Sequence, residues 1–173
     1  MPRSLADGRT KFTILTTKPD NPAEPTITEL NAGLHYEDNV LASDFVFGAT
    51  DSDKVAEKPL SAQSNANALA ASNFQCAFTV FRYFDATTGA PDTTADAKFA
   101  AVKTKGSQLW AYARKTGKPA GAAWAADDEI YLGAEIATDE PQPPSDLGGY
   151  IKYRVPCEVQ TAWPFIEAAA AGA

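Results

Sequence analysis

Asn73-Phe74-Gln75-Cys76-Ala77-Phe78-Thr79-Val80-Phe81-Arg82-Tyr83-Phe84 is the stretch on which the fold turns. Aromatic and β-branched residues crowd it, Gly and Pro are absent, and the turn-prone Asp85-Ala86-Thr87-Thr88-Gly89-Ala90-Pro91 closes it. These features describe a strand rather than a helix. Side chains alternate across a strand, so Phe74, Cys76, Phe78 and Val80 share one face while Gln75, Ala77, Thr79 and Phe81 share the other. The first face is apolar and belongs in a core. The second begins polar or small and turns aromatic toward Tyr83, so it is wet only at its start. At ~3.3 Å per residue the run would extend roughly 35–40 Å, about twice a usual strand, which points to a tall sheet or a barrel wall.

The clearest alternation comes late in the chain. In Glu129–Ile136, the residues Ile130, Leu132, Ala134 and Ile136 oppose Glu129, Tyr131 and Glu135. In Tyr150–Gln160, the residues Ile151, Tyr153, Val155, Cys157 and Val159 oppose Lys152, Arg154, Glu158 and Gln160. Such a pattern means antiparallel strands with one wet face. Pro156 cannot donate to a ladder and is expected at an edge or bulge.

Working outward, the residues before Thr10 read as an arm leading into a strand at Lys11–Thr17. Pro19, Pro22 and Pro25 make the next segment irregular. Thr26-Ile27-Thr28-Glu29 matches a capping box, and Gly33 ends the short helix that it opens. Leu34–Phe47 reads as a strand or two broken near Ala42-Ser43. Gly48–Ser72 has no hydrophobic period and far exceeds an ordinary connection. Its Val55, Leu60 and Leu69 are apolar anchors for an arm that orders against a partner. Asp92-Thr93-Thr94 caps a helix predicted through Lys105, closed by Gly106, and Gln108–Arg114 reads as a strand. Lys115–Ala126 is a loop around Trp124, and Asp139–Gly149 a stiff proline loop. The chain divides into an arm (1–10), one domain (11–161) containing the 48–72 loop, and an Ala-rich tail (162–173) expected to fray. About six or seven strands with one flanking helix make a mainly β fold, an antiparallel β-sandwich or partly closed barrel.

Composition sets the outer bounds. A chain of 173 residues with 45% hydrophobic and 21% charged content suits one folded domain. A formal net charge of −7 argues against tight nucleic-acid binding, which needs cations to displace counterions from phosphates. No apolar run is long enough to span a bilayer, and none at the N-terminus has signal-peptide form, so cytosolic synthesis is expected. The two cysteines, Cys76 and Cys157, fall at inward strand positions and read as buried thiols rather than a disulfide.

Chemistry-bearing patterns are sparse. The single histidine, His35, lies in an irregular stretch without a nucleophile beside it in sequence. One His and two separated cysteines make no zinc site. Asp51-Ser52-Asp53 lacks the later Gly and bidentate Glu of a calcium loop. Gly148-Gly149 opens a strand, not a helix, and is no phosphate cradle. No enzyme activity and no cofactor is expected.

Several long stretches nevertheless resemble one family. They are Arg3-Ser4-Leu5-Ala6-Asp7-Gly8-Arg9-Thr10, the run from Leu41-Ala42-Ser43-Asp44-Phe45, and Ala70-Ala71-Ser72-Asn73-Phe74 into Phe81-Arg82-Tyr83-Phe84-Asp85. Pro141-Gln142-Pro143-Pro144-Ser145-Asp146-Leu147-Gly148-Gly149-Tyr150 is a further one. They are similar to the major tail proteins, or tail tube subunits, of long-tailed non-contractile bacteriophages, and the likeness runs from the arm to about Gln160. The resemblance implies a β-sandwich subunit that closes into hexameric rings, with one sheet of each subunit joining a continuous barrel around a lumen. Stacked rings would form the tail tube in the virion, assembled in the host bacterial cytoplasm. The tube would conduct phage DNA without specific binding and meet a tape measure protein, a tail terminator and distal tail proteins. No membrane partner is expected.

On that arrangement the wet strand faces would line the lumen. The residues concerned are Gln75 and Thr79 from the long strand, Glu129, Tyr131 and Glu135 from the next, and Lys152, Arg154, Glu158 and Gln160 from the last. Loop acids Asp127, Asp128, Asp139 and Glu140 would add to a DNA-repelling potential. Contacts between subunits or rings would come from Arg3, Leu5 and Arg9 in the arm. In the long loop they would come from Asp51, Asp53, Lys54, Val55, Glu57, Lys58, Leu60 and Leu69. Two other readings compete: a monomeric virion-associated β-sandwich that binds carbohydrate or a host surface, and a neck or tail-terminator protein sharing the tube fold. The first calls for a clustered aromatic platform, whereas Trp110, Trp124 and Trp163 are scattered in sequence.

Overall fold

The computed structural model describes residues 5–61, 63, 67–146 and 148–172. In chain order they hold β1 (Thr10–Leu15), α1 (Ile27–Ala32), β2 (Leu34–His35), a 3-10 turn (Ala42–Asp44) and β3 (Val46–Thr50). Next come β4 (Lys54–Val55), β5 (Ala68–Leu69), β6 (Asn73–Phe81), α2 (Ala97–Val102), β7 (Gln108–Lys115), β8 (Glu129–Thr138) and β9 (Lys152–Glu167). Seven strands form one antiparallel sheet in the order β2-β1-β7-β8-β9-β6-β3, and β4 and β5 pair as a separate hairpin.

The sheet rolls over its own apolar face. Phe12 on β1 meets Phe47 on β3 and Phe78 on β6, each at 5.3 Å between ring centroids, although β1 and β3 are five places apart in the strand order. The core between them takes Ile14, Leu109, Ala111, Ala113, Leu132 and Val155 among others, and Phe99 and Val102 of α2 close one side. This is the sandwich-like, partly closed barrel that the alternation predicts.

A second apolar layer lies outside the roll. On β7, Trp110 and Tyr112 point away from the main core because Leu109, Ala111 and Ala113 point into it. They are covered by Leu30 of α1, Trp124 of the following loop, and Ala168. The capping box of α1 forms as expected. Thr26 Oγ1 accepts from the Glu29 N–H at 3.3 Å, and Glu29 Oε2 accepts from the Thr26 N–H at 2.9 Å. Gly33 ends the helix where a Cβ would lie 2.5 Å from Leu15 Cδ2, so close approach to β1 requires glycine there.

The loop after β7 is held by charge. Arg114 is fully buried and donates to Asp128 at 2.6 Å and to the carbonyls of Pro119, Ala122 and Ala123, with Trp124 on its face at 5.1 Å. Lys118 also contacts Asp128. Burial opposes ionisation of Asp128, but hydrogen bonds from Lys118, the Ala125 N–H and Arg114 outweigh it and hold its carboxyl below the usual range.

Several elements depart from expectation. The long strand stops at Phe81 instead of Phe84, because Asp96 takes Arg82 in a two-point ion pair and accepts from the Tyr83 N–H at 3.0 Å, pulling the chain off the ladder. The helix expected from Asp92 to Lys105 is only Ala97–Val102, since Asp92 first closes a turn on the Thr94 and Ala95 amides. The tail expected from residue 162 is instead strand through Glu167, paired with β8. Ala168 and Ala169 then dock between Asp128 and Pro25 by backbone hydrogen bonds of 2.9–3.0 Å, their small side chains fitting a tight site. Pro156 lies in an interior strand, not at an edge. Its carbonyl faces Asp139 just past the end of β8, so its missing N–H falls where that ladder has run out. Cys76 and Cys157 are free, buried and directly opposite one another.

Candidate functional site: a wet sheet face and two apolar ends

Register fixes which outward residues are neighbours. Pairing of β6 with β9 sets Thr79 opposite Arg154 and Cys76 opposite Cys157, which places Gln75 across from Glu158 on the outer face. Pairing of β9 with β8 sets Glu158 beside Ala137 and Thr161 beside Glu135. Gln75, Arg154, Glu158, Gln160 and Thr161 are exposed and Glu135 is half-buried, so these residues form one polar surface across three adjacent strands. Gln160 is the extra residue of a bulge at Glu135/Ile136, which keeps both it and Thr161 in water. Arg154 reaches Gln142 at 3.4 Å, and the Gln142 backbone pairs with that of Arg154, so the proline loop continues the sheet beside β9.

The structure does not bring all the expected residues to this face. Thr79 is buried, its hydroxyl bonded to Asp44 of the 3-10 turn, which folds over that end of β6. Glu129 and Tyr131 lie elsewhere, because alternation slips at Tyr131. Tyr131 and Leu132 both pack on the main core while Ile130 joins the outer layer, and Phe165 opposite has a φ of 51°. Tyr131 stacks edge-on against Phe47 at 6.4 Å, and burial pushes its phenol up to about 12. Glu129 is exposed beside Lys115 and Phe165 in a separate groove. Lys152 is half-buried at the margin of the face. Of the loop acids, Asp128 is spent internally, and Asp139 pairs with Lys105 at 3.0 Å; Asp127 and Glu140 are exposed.

The long loop is not patternless throughout. Gly48–Thr50 belong to β3, and beyond them β4 and β5 pair as a hairpin at the Asn73 end of β6. Its base is clamped by Asn73 Nδ2, which donates to the Asp51 carbonyl at 3.1 Å and to Asp53 Oδ1 at 2.9 Å. Beyond that clamp Lys54, Val55, Glu57, Lys58, Leu60 and Leu69 are all exposed, Leu69 at 76%. In the arm, Leu5 is exposed, and Arg9 is tied down, donating to the Gly117 carbonyl at 2.6 Å. Arg3 lies outside the described residues.

A profile of the family described as phage tail tube protein matches residues 1–172. The chain belongs to the phage tail tube protein family. Among curated proteins, none matches the chain significantly. This tail tube protein is thus a structural component of the phage virion tail. Among its described residues no helix is long and apolar enough to cross a membrane.

One surface escaped the sequence reading. Tyr83, Phe84, Tyr150 and Ile151 are exposed together at the Phe81 end of β6, joined by the Arg82 N–H to Ile151 carbonyl bond of 2.9 Å and by Phe81 against Tyr150 at 6.0 Å. Ile151 was expected in the core; it lies just beyond the end of the ladder, and the inward series starts with Tyr153. The signal is four large apolar residues flanking a strand end, of which alternation assigns Ile151 to the core.

Proposed function

We propose that this chain closes into hexameric rings whose stacking forms a conduit for DNA ejection, with the β6–β9–β8 outer face toward the lumen. The observation that carries the reading is the continuous polar surface of Gln75, Glu158, Gln160, Thr161 and Glu135, backed by an apolar core and not covered by the second layer. Two cations, Lys152 and Arg154, balance Glu135 and Glu158, so the face offers passing DNA no net attraction. Sheet edges support lateral closure: among the described residues β3 has a strand partner on one side only, which leaves Val46–Thr50 able to pair with a neighbouring subunit. The hairpin and the N-terminal arm supply contacts between rings and subunits. Tape measure protein, tail terminator and distal tail proteins are the expected partners at the tube's interior and ends, with assembly in the host bacterial cytoplasm. Electron microscopy of the purified protein tests the reading: rings or tubes with a central channel are expected, and dispersed particles at all concentrations would reject it.

A further inference from the structure

The hairpin and the Tyr150 patch lie at opposite ends of one strand. β6 has nine residues, so at ~3.3 Å per residue they stand roughly 30 Å apart and cannot meet within one subunit. The two-stranded ribbon, separate from the main sheet, presents Val55 and Leu69, and Leu60, fully exposed, lies in the connection beyond β4. Such a ribbon is marginal in water without a surface to cover it. The patch presents Tyr150, 80% exposed, and Ile151, 57% exposed, beside Tyr83 and Phe84. Both ends therefore keep large apolar groups in water, which a subunit destined to remain alone has little reason to do.

Charge adds a sense of direction. Above its clamp the hairpin carries Lys54 and Lys58 against Glu57, a net of one positive charge. The rim of the patch carries Asp85, Asp92 and Asp146 against Lys152, a net of two negative charges. The carboxylates of Asp85, Asp92 and Asp146 each accept neighbouring backbone N–H groups, which fixes their place on the rim. Hairpin on hairpin or patch on patch would bury apolar surface but set like charges together, whereas hairpin on patch buries it and matches in sign. A contact between unlike surfaces repeats by translation and builds an open-ended stack, the symmetry that a tube requires.

We propose that the hairpin of one subunit docks on the Tyr83–Phe84–Tyr150–Ile151 patch of a second copy of this chain in the adjacent ring. The inference rests on the stacked-ring reading and adds the acceptor surface to it. Leu60 and Leu69 are the anchors that enter the patch, Tyr150 and Ile151 line it, and Lys54 and Lys58 meet its acidic rim.

Three proteins viewed by electron microscopy test this: the wild type, Leu60→Asp/Leu69→Asp, and Tyr150→Asp/Ile151→Asp. All four positions are exposed, so thermal melts of the variants should match the wild type and exclude misfolding. Each variant alone should form rings that do not stack. Mixing the two should restore one junction, since one supplies an intact patch and the other an intact hairpin, and should yield ring pairs that grow no further. Full-length tubes from the Tyr150→Asp/Ile151→Asp variant would overturn the proposal while leaving the ring reading intact. Loss of rings in that variant would overturn it too, by moving the patch to the lateral contact. A wild type that forms neither rings nor tubes would reject both.

Discussion

Replacing Asp128 by Asn isolates the contribution of one buried charge to the subunit. The substitution keeps shape but leaves the Arg114 guanidinium, fully buried, facing an amide where it now faces a carboxylate at 2.6 Å. Removing one partner of a buried ion pair costs about 3–5 kcal/mol, because the surviving charge stays desolvated. Arg114 keeps the carbonyls of Pro119, Ala122 and Ala123, which argues for the lower end, about 3 kcal/mol. Its Nε already lacks a partner, so no idle acceptor is at hand to make up the loss. For a chain of this size, about 3 kcal/mol corresponds to a fall in Tm of roughly 6–12 °C. The assay is a circular-dichroism melt at concentrations too low for assembly. The sign with pH is set by the lowered carboxyl of Asp128. Its contribution is complete above the unfolded carboxylate range and fades as pH falls through its own lower value, so the gap between the proteins should narrow in acid. A Tm within about 2 °C of wild type at neutral pH would refute the reasoning, since it would mean that Arg114 is solvated.

Glu135→Lys/Glu158→Lys should leave tubes assembled, because Glu158 faces water and Glu135 lies at the open face. DNA ejection should slow most at low salt, where new phosphate contacts are strongest, and ejection unchanged at low salt would remove these residues from the DNA path. Gly33→Ala should lower the melting temperature by more than Gly→Ala costs in open loops, since the added carbon would lie 2.5 Å from Leu15 and 2.8 Å from Thr13; an unchanged melt would show that α1 can shift. Thr26→Ala should cost about 1 kcal/mol through the lost cap, read as a shift of the denaturation midpoint without a change in slope. In the native protein Cys76 should resist alkylation, because a hydrogen bond with Cys157 and then burial push its thiol up; rapid labelling without denaturant would contradict the buried pair.

What was legible in the sequence is what local chemistry decides. The capping box at Thr26 and Glu29, the strand around Phe78, and the inward series Leu132–Ala134–Ile136 of β8 and Tyr153–Val155–Cys157–Val159 of β9 each rest on neighbours in the chain, and each formed. What failed depends on distant partners. Thr79 reads as a wet strand residue until Asp44, 35 positions away, covers it. The Ala-rich end reads as a fraying tail until β8 supplies a partner strand for Thr161–Glu167 and Pro25 and Asp128 a dock for Ala168 and Ala169. Tyr131 and Ile130 followed strict alternation in the sequence, whereas a local slip opposite Phe165 exchanges their faces. A single inserted or left-handed residue reverses every assignment beyond it, and periodicity has no means of locating such a residue.

The same limit explains why half of the sheet's outer face is open and half is covered. Outward positions on β7 and on the neighbouring parts of β8 and β9 carry Trp110, Tyr112 and Trp163, too large and apolar to leave in water. They draw α1, Trp124 and Ala168 over them, and the Tyr112 ring lies so close to Gly133 that a Cβ there would sit 2.8 Å away. One step along β8, at Glu135, the outward series turns polar, and it stays polar or small through Thr161, Glu158 and Gln75. Covering those residues would strand Glu135, Glu158 and Arg154 without water or partners, at a cost no helix of six residues could offset. The boundary between dry and wet therefore follows from side-chain chemistry at Gly133 and Glu135. The wet half is the part of the sheet that can face an aqueous channel without any further layer.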